Sequence, residues 1–410
     1  MQEKIIGLSL GADVCWPAVY EELLKRLDLH VPINGKETKI VSERVLIEPF
    51  DLQYKPKYSL VLDRVTHWNP ISREWIKKIT LMDDVYVLNN PWTIQSMEKH
   101  TSYCALMRLG FPIPKTWMLP PKAPPSEDKD QTTTINRYSR LFSLNQVGDS
   151  VGYPAFFKPY DGGGWVGVRN CKTHDDLYSA YDESNDRVNH LQAAVKDWDV
   201  FVRGLGVGPQ VNVIKYDPAA PLHARYVVDF NYLDAKGWKR ATQTTRIINA
   251  FFNWDFNSCE MLRGADILQP IDFANACPDS QITSLHYHFP WLVKALLRWS
   301  LYCVATGRKV RLNQNWQPYF DIADMDIHFD EKVERYDKLA RDHFEIEQFE
   351  EFNQKYLGNL DEIATEFFGS ERFHQIVEEK VTSLYPKHEI KQFTDHFYGL
   401  VQFWRKTQTK

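Results

Sequence analysis

Apolar positions along the first ninety residues alternate between two periods. Residues 4–11, KIIGLSLG, are a compact apolar run that ends in glycine, the pattern of a strand entering a turn. Across residues 16–29, Val19, Leu23, Leu24 and Leu27 recur at helical spacing and share a face. Residues 40–50 and 58–65 read as strands again. Ser72 suits the cap of a helix running to Ile79, and Val85 to Leu88 is a further short strand. Strands alternating with helices predict a small parallel α/β domain over residues 1–90. Asp63 and Arg64 fall at the end of one predicted strand, where open α/β sheets place ligands. A surface ion pair reads equally well there.

Beyond a turn at Asn89-Asn90-Pro91-Trp92, a helix is predicted to end near Gly110, with Thr93 or Ser96 as its cap and an extended segment after it. Residues 119–134, LPPKAPPSEDKDQTTT, are Pro-rich and then polar, which predicts a mobile loop or insertion. A helix follows from Thr173, whose hydroxyl suits a cap and which is followed by Asp175 and Asp176 in the first turn. The Arg225 and Arg246 segments read as antiparallel strands. Between Trp254 and Ser280 two extended runs flank a turn at Arg263 to Asp266. A helix begins after Pro290, preceded by His286 and His288, which share a side if that stretch is extended. The last eighty residues carry apolar positions at helical spacing throughout and predict a helical cap or an oligomerisation arm.

The most informative stretch is Phe156 to Val168, FFKPYDGGGWVGV. A strand ends in Lys158-Pro159, where proline costs no ladder hydrogen bond. Gly162, Gly163 and Gly164 follow. Three adjacent glycines inside a packed element would cost backbone entropy. They suit a loop whose successive N–H groups approach an anion. The lysine supplies the point charge that a polyphosphate requires. The pattern is neither a P-loop nor a dinucleotide fingerprint.

Composition narrows the setting. A chain of 410 residues exceeds one ordinary core, so two or three domains are expected. A net charge of only −5 gives no general electrostatic case for nucleic acid or an anionic membrane as partner. Six scattered cysteines without a Cys-x-x-Cys pair argue against a zinc knuckle or a disulfide framework. The opening MQEKIIGLSLGAD has no signal-peptide pattern, and no apolar stretch reaches membrane-spanning length. A soluble cytoplasmic protein is the expectation.

The Lys-Pro, glycine-run, Gly-Val pattern resembles the phosphate loop of the ATP-grasp ligases of the glutathione-synthetase-like type. The helix carrying Lys99, ending in Leu-Gly-x-x-x-Pro some sixty residues before Lys158, resembles the entry to their ATP-binding domain. The resemblance implies a pre-ATP-grasp α/β domain over 1–90. It implies a two-lobed α+β ATP-grasp domain over 91–325, with lobes at about 91–190 and 191–325, leaving a helical extension over 326–410. It implies ATP held by Lys99, Lys158, Gly162, Gly163, Gly164, Gln192 and Val195, the last two on the hinge that faces adenine. Oxygen ligands suit Mg²⁺. The family's acid on one strand and Asp/Glu-x-Asn on the next correspond to Glu260, Asp272 and Asn275. Here the spacing is Asp-x-x-Asn, so a bulge or a turn of the chain is needed, and Asp255 or Asn257 stands as fallback for Glu260. Arg203, Arg225 and Arg246 are candidates for a substrate carboxylate or its acyl phosphate. The implied reaction is ATP- and Mg²⁺-dependent joining of a small-molecule or peptide carboxylate to an amine. A small-molecule kinase or a non-catalytic ATP-binding scaffold are the alternatives.

Overall fold

A computed structural model describes residues 2–9, 13–46, 48–64, 69–93, 98–123, 133, 137, 141–161, 165–275 and 278–408. The chain divides into two compact units. One comprises residues 1–95, 202–259 and 276–410; the other comprises residues 96–201 and 260–275.

The first unit opens on an α/β sheet. Strand Gln2–Ser9 lies at its centre, parallel to Lys36–Arg44 on one side and to Tyr58–Asp63 on the other, with Tyr86–Leu88 parallel beyond that. The predicted strands are all there. An additional edge strand, His30–Ile33, pairs antiparallel with Lys36–Arg44 through Asn34 and Gly35, both at positive φ. Asn-Gly at such a turn is the preferred sequence for a tight hairpin.

Helix Cys15–Leu27 buries Trp16, Val19, Tyr20, Leu23 and Leu24. The Tyr20 hydroxyl lies 2.7 Å from Ser300 Oγ on helix Phe289–Thr306, which is buried along most of its length. That helix has Pro290 in its first turn and Gly307 at φ 64 past its end, the usual proline-start, glycine-stop asymmetry. The C-terminal residues are helical as predicted: Gln317–Ala323, Phe329–His343, Ile346–Tyr356, Leu360–Phe367, Glu371–Thr382 and Ile390–Gln408. Their buried faces carry aromatic residues such as Tyr336, Phe349, Phe367, Phe373 and Phe397. No helix among the described residues is long and apolar enough to cross a membrane.

Two local readings are corrected. The Arg246 segment is helix Ala235–Phe252, capped by Asp234, and not a strand. Its second half is buried almost all round, from Gln243 to Phe252 with Arg246 half-buried, so tertiary packing wins over the β-branched composition. Arg225 follows a short 3₁₀ turn and precedes the two-residue strand Tyr226–Val227. His286 and His288 lie in a 3₁₀ turn rather than an extended run, with ring centroids 6.2 Å apart.

The second unit is built on a four-stranded antiparallel sheet in the order Thr116–Leu119, Asn189–Ala193, Ala155–Pro159, Arg169–Cys171. One face packs under helices Leu144–Val151 and His174–Glu183. The core there comprises Leu119, Leu144, Val147, Ala155, Phe157, Cys171, Leu177 and Leu191. Thr173 caps the second helix through a capping box with Asp176, as its sequence predicts. The remaining part is a hairpin made by residues 260–264, the end of strand Phe256–Gly264, and strand Ile267–Asp272, closed by Ala265 and Asp266, both at positive φ.

Candidate nucleotide and metal site

Strand parity creates a polar row on the second unit's sheet. Phe157 and Leu191 are paired and point into the core. Their neighbours therefore point the other way. Lys158 faces His190 directly across the strands, Gln192 faces Phe156, and Thr116 faces Gln192. Lys158 Nζ donates to Gln192 Oε1 at 2.8 Å, and Gln192 Nε2 donates to Thr116 Oγ1 at 2.8 Å. The sequence placed Gln192 beside adenine; in the structure its side chain holds the lysine.

Helix Lys99–Arg108 brings a second cation to the same face. Lys99 is its first residue, and its backbone N–H donates to the Tyr160 carbonyl at 3.1 Å, tying the helix start to the end of the Lys158 strand. Glu98 precedes the helix without capping it through its side chain. Thr93 lies well outside it, and Ser96 is outside the described residues. Lys99 and Lys158 are each 7% exposed. Lys99 Nζ stands 3.6 Å from Asp272 Oδ2.

The carboxylates reach this cluster through a break in register. Between Leu262 and Gly264 the hairpin pairs regularly, and Met261 faces Pro270, yet Glu260 faces Asp272. Ile271 is the extra residue of a β-bulge. Without it Glu260 would face Ile271, and Asp272 would point elsewhere. The shift sets two carboxylates directly opposite each other, with Cβ atoms about 5 Å apart as for any facing cross-strand pair. The Ile271 carbonyl accepts from the Tyr103 hydroxyl at 2.7 Å and from Lys158 Nζ at 3.3 Å. A bulge or a turn of the chain was expected between Asp272 and Asn275; the bulge at Ile271 precedes Asp272 and leaves the Asp-x-x-Asn spacing as it is. Asn275 follows the strand end by three residues.

Electrostatics in this cluster are finely opposed. Burial lowers the Lys158 ammonium from its ordinary 10.5 to about 8; Asp272 and Glu260 pull it up and Lys99 pushes it further down. His190 falls to about 3, through burial first and then the nearby Lys158, His100 and Lys99 charges, so its imidazole is neutral. His100 Nδ1 and His190 Nε2 are 3.3 Å apart and their rings stack. The Tyr103 phenol is raised by burial and by Asp272.

The other sequence candidates are placed as follows. Gly162, Gly163 and Gly164 lie outside the described residues. Val195 follows strand Asn189–Ala193 and packs close to Gly264, where an added Cβ would come within 2.8 Å of it. Arg203 lies on strand Trp198–Val207, donates to the Tyr226 hydroxyl at 2.7 Å and stands 4.2 Å over the Tyr216 ring. Arg225 Nε donates to the Ala220 carbonyl. Arg246 pairs with Asp337 at 2.8 Å, both largely buried. These three arginines belong to the first unit. So do both fallback ligands. Asp255 is buried and accepts from the Tyr86 hydroxyl and from Trp299 Nε1; burial raises it to about 6. Asn257 donates to Asn249 Oδ1 at 2.9 Å. Asp255 therefore has a packing role within the first unit's core. Tyr103, His190 and Thr116 went unnoticed in the sequence, although Tyr103 sits one helical turn after Lys99.

The donor set fits a hard divalent cation at a phosphate. Two facing carboxylates with an amide three residues on offer oxygen only, and Mg²⁺ at nucleotide sites uses one or two carboxylates beside phosphate oxygens. Among the described residues, no three of His, Cys, Asp or Glu gather into a self-sufficient metal cage.

Comparison with solved structures bears on the fold. D-alanyl-alanine synthetase A from Vibrio cholerae superposes with a TM-score of 0.52 at 13% identity, covering 75% of this chain and 98% of that one. D-alanine–D-alanine ligase from Bacillus anthracis, complexed with ATP, gives 0.49 at 14% identity over 74% and 99%. A RimK domain ATP-grasp protein from Sphaerobacter thermophilus gives 0.47 at 12% over 72% and 97%. The chain has the ATP-grasp fold. No family model matches the sequence, and no curated protein matches it. In this chain, the sheet carrying Lys158 and the bulged hairpin carrying Asp272 fall in one compact unit.

Proposed function

We propose that the protein is an ATP- and Mg²⁺-dependent ligase that activates a substrate carboxylate as an acyl phosphate and joins it to an amine. The observation that carries this reading is the convergence of Lys99 and Lys158 on the bulged hairpin that pairs Glu260 with Asp272. Phosphoryl transfer asks a protein for positioning and charge neutralisation more than for covalent help. Lys99, Lys158 and the N–H groups of Gly162, Gly163 and Gly164 hold the phosphates. Gln192 and Val195 would meet the base through backbone groups, the Gln192 side chain being engaged with Lys158 and Thr116. Glu260, Asp272 and Asn275 hold Mg²⁺, which when bound offsets the charge of the phosphate oxygens. A carboxylate oxygen attacks the γ-phosphorus and ADP leaves. The amine then attacks the acyl carbon, phosphate leaves, and the amine gives up a proton.

For the carboxylate, Arg203, Arg225 and Arg246 remain the candidates, and the buried pairing of Arg246 with Asp337 makes it the weakest of them. The cysteines among the described residues form no disulfide, which suits a reducing, cytoplasmic setting. The test is a screen of amino acids and short peptides for phosphate release from ATP, with mass analysis of products. A product of the summed carboxylate and amine masses less one water supports the ligase. A phosphorylated product, or ATP binding without turnover across the panel, overturns it.

A further inference from the structure

Tyr103 belongs to none of the residue sets assigned so far, yet three parts of the cluster meet at it. Its hydroxyl donates to the Ile271 carbonyl at 2.7 Å. Its ring lies 5.1 Å beneath Lys158 Nζ. The same ring packs edge-on against His190 at 5.4 Å and against Phe273 at 5.5 Å. It is 2% exposed.

An extra residue leaves a backbone group out of the ladder, and a buried carbonyl needs a donor. Ile271 finds two, Tyr103 and Lys158. A phenol on a rigid, buried ring is a fixed donor; an ammonium on a flexible stem is not. Once a polyphosphate draws Lys158 away, the phenol alone satisfies that carbonyl. The carbonyl is one residue from Asp272, so its position decides whether Asp272 stays opposite Glu260.

We infer that Tyr103 is a positioning residue that pins the Ile271 bulge and thereby keeps the Glu260–Asp272 pair aligned for a divalent cation while Lys158 is engaged by phosphate. The inference rests on the proposed nucleotide site. It assigns Tyr103 no contact with metal or nucleotide.

The experiment compares the parent with Tyr103→Phe, which keeps the ring and the cation–π contact and removes one hydroxyl. ATP affinity is titrated calorimetrically against Mg²⁺ concentration, and hydrogen exchange is followed in the nucleotide-free protein over residues 267–275. In the variant the Mg²⁺ concentration for half-maximal enhancement of ATP binding should rise about tenfold, the equivalent of one buried hydrogen bond. ATP affinity without Mg²⁺ should hold within about twofold, since the lysines are untouched. Exchange over residues 267–275 should quicken while the melting temperature and exchange elsewhere hold. Unchanged Mg²⁺ dependence with a nucleotide-binding parent overturns the inference and leaves the ligase reading standing. A parent that binds no ATP overturns the ligase reading itself. If Tyr103→Phe lowers overall stability, exchange over residues 267–275 relative to the rest of the chain decides: a uniform rise overturns the inference, a rise confined to the hairpin supports it.

Discussion

Lys158 offers the sharpest prediction, because its charge is poised and its partners are known. Burial brings the ammonium from 10.5 to about 8, a change worth about 3 kcal/mol against the charged form. The folded value lies below the unfolded one, so between about pH 8 and 10.5 the unfolded chain binds more protons. Stability conferred at this site therefore rises with pH across that window and is depressed below it. A bound triphosphate reverses the balance by placing negative charge beside the amine. At pH 8 roughly half of the free protein has a neutral Lys158, so ATP binding should take up about half a proton there, and almost none at pH 6.5. Titration calorimetry in two buffers of different ionisation heat reads this number directly. Lys158→Met should abolish the uptake and weaken ATP binding tenfold or more, about 1.4 kcal/mol. The same substitution should stabilise the nucleotide-free protein at pH 7, by at most about 3 kcal/mol, since the Gln192 and Ile271 hydrogen bonds are lost with the charge. Proton uptake that is flat from pH 6.5 to 9, or that persists in Lys158→Met, would refute the reasoning.

Asp272→Asn should abolish turnover, while thermal melting of the free protein falls by no more than about 1 kcal/mol, because the Lys99 pair it breaks is partly exposed. Arg246→Ala should cost about 3 kcal/mol in chemical denaturation by stranding the buried Asp337 carboxylate; measured ATP affinity should not change. Asp255 titrates near 6 when folded and near 3.8 when unfolded, so its contribution to stability falls as pH rises from about 4 to 6. Denaturation of the parent and of Asp255→Asn across that range should show the parent losing up to about 3 kcal/mol relative to the variant; parallel profiles would contradict the assignment.

The lysines of the candidate site were legible because their signals are local. Lys158-Pro159 before a glycine run, and a lysine opening a helix that ends in Leu-Gly, are patterns that backbone chemistry enforces over a few residues. The parallel domain was legible for the same reason, through alternating periods. The edge strand His30–Ile33 was missed although Asn34-Gly35 announces a hairpin, because the strand is short and Pro32 interrupts it. Arg246 was misread as strand text because Thr244, Thr245, Ile247 and Ile248 favour strands, and because burial nearly all round from Gln243 to Phe252 leaves no apolar stripe to mark a helix. What no local pattern could give is register. The facing of Glu260 with Asp272 depends on one extra residue at Ile271, and a carbonyl donor for it comes from Tyr103, far away in sequence. The part played by Gln192 was hidden likewise. Its strand and face could be read from sequence, but its partner Lys158 depends on how two strands pair.

As a ligase of the proposed kind, this chain would turn a carboxylate into an acyl phosphate. Hydroxylamine intercepts acyl phosphates as stable hydroxamates, whatever the natural amine. The protein is incubated with ATP, Mg²⁺, hydroxylamine and a panel of amino acids and short peptides, and hydroxamate, ADP and phosphate are quantified together. All three should form in equal amounts with at least one carboxylate, and none with Asp272→Asn. ADP formed without hydroxamate under every condition, or hydroxamate formed equally well by Asp272→Asn, would contradict it.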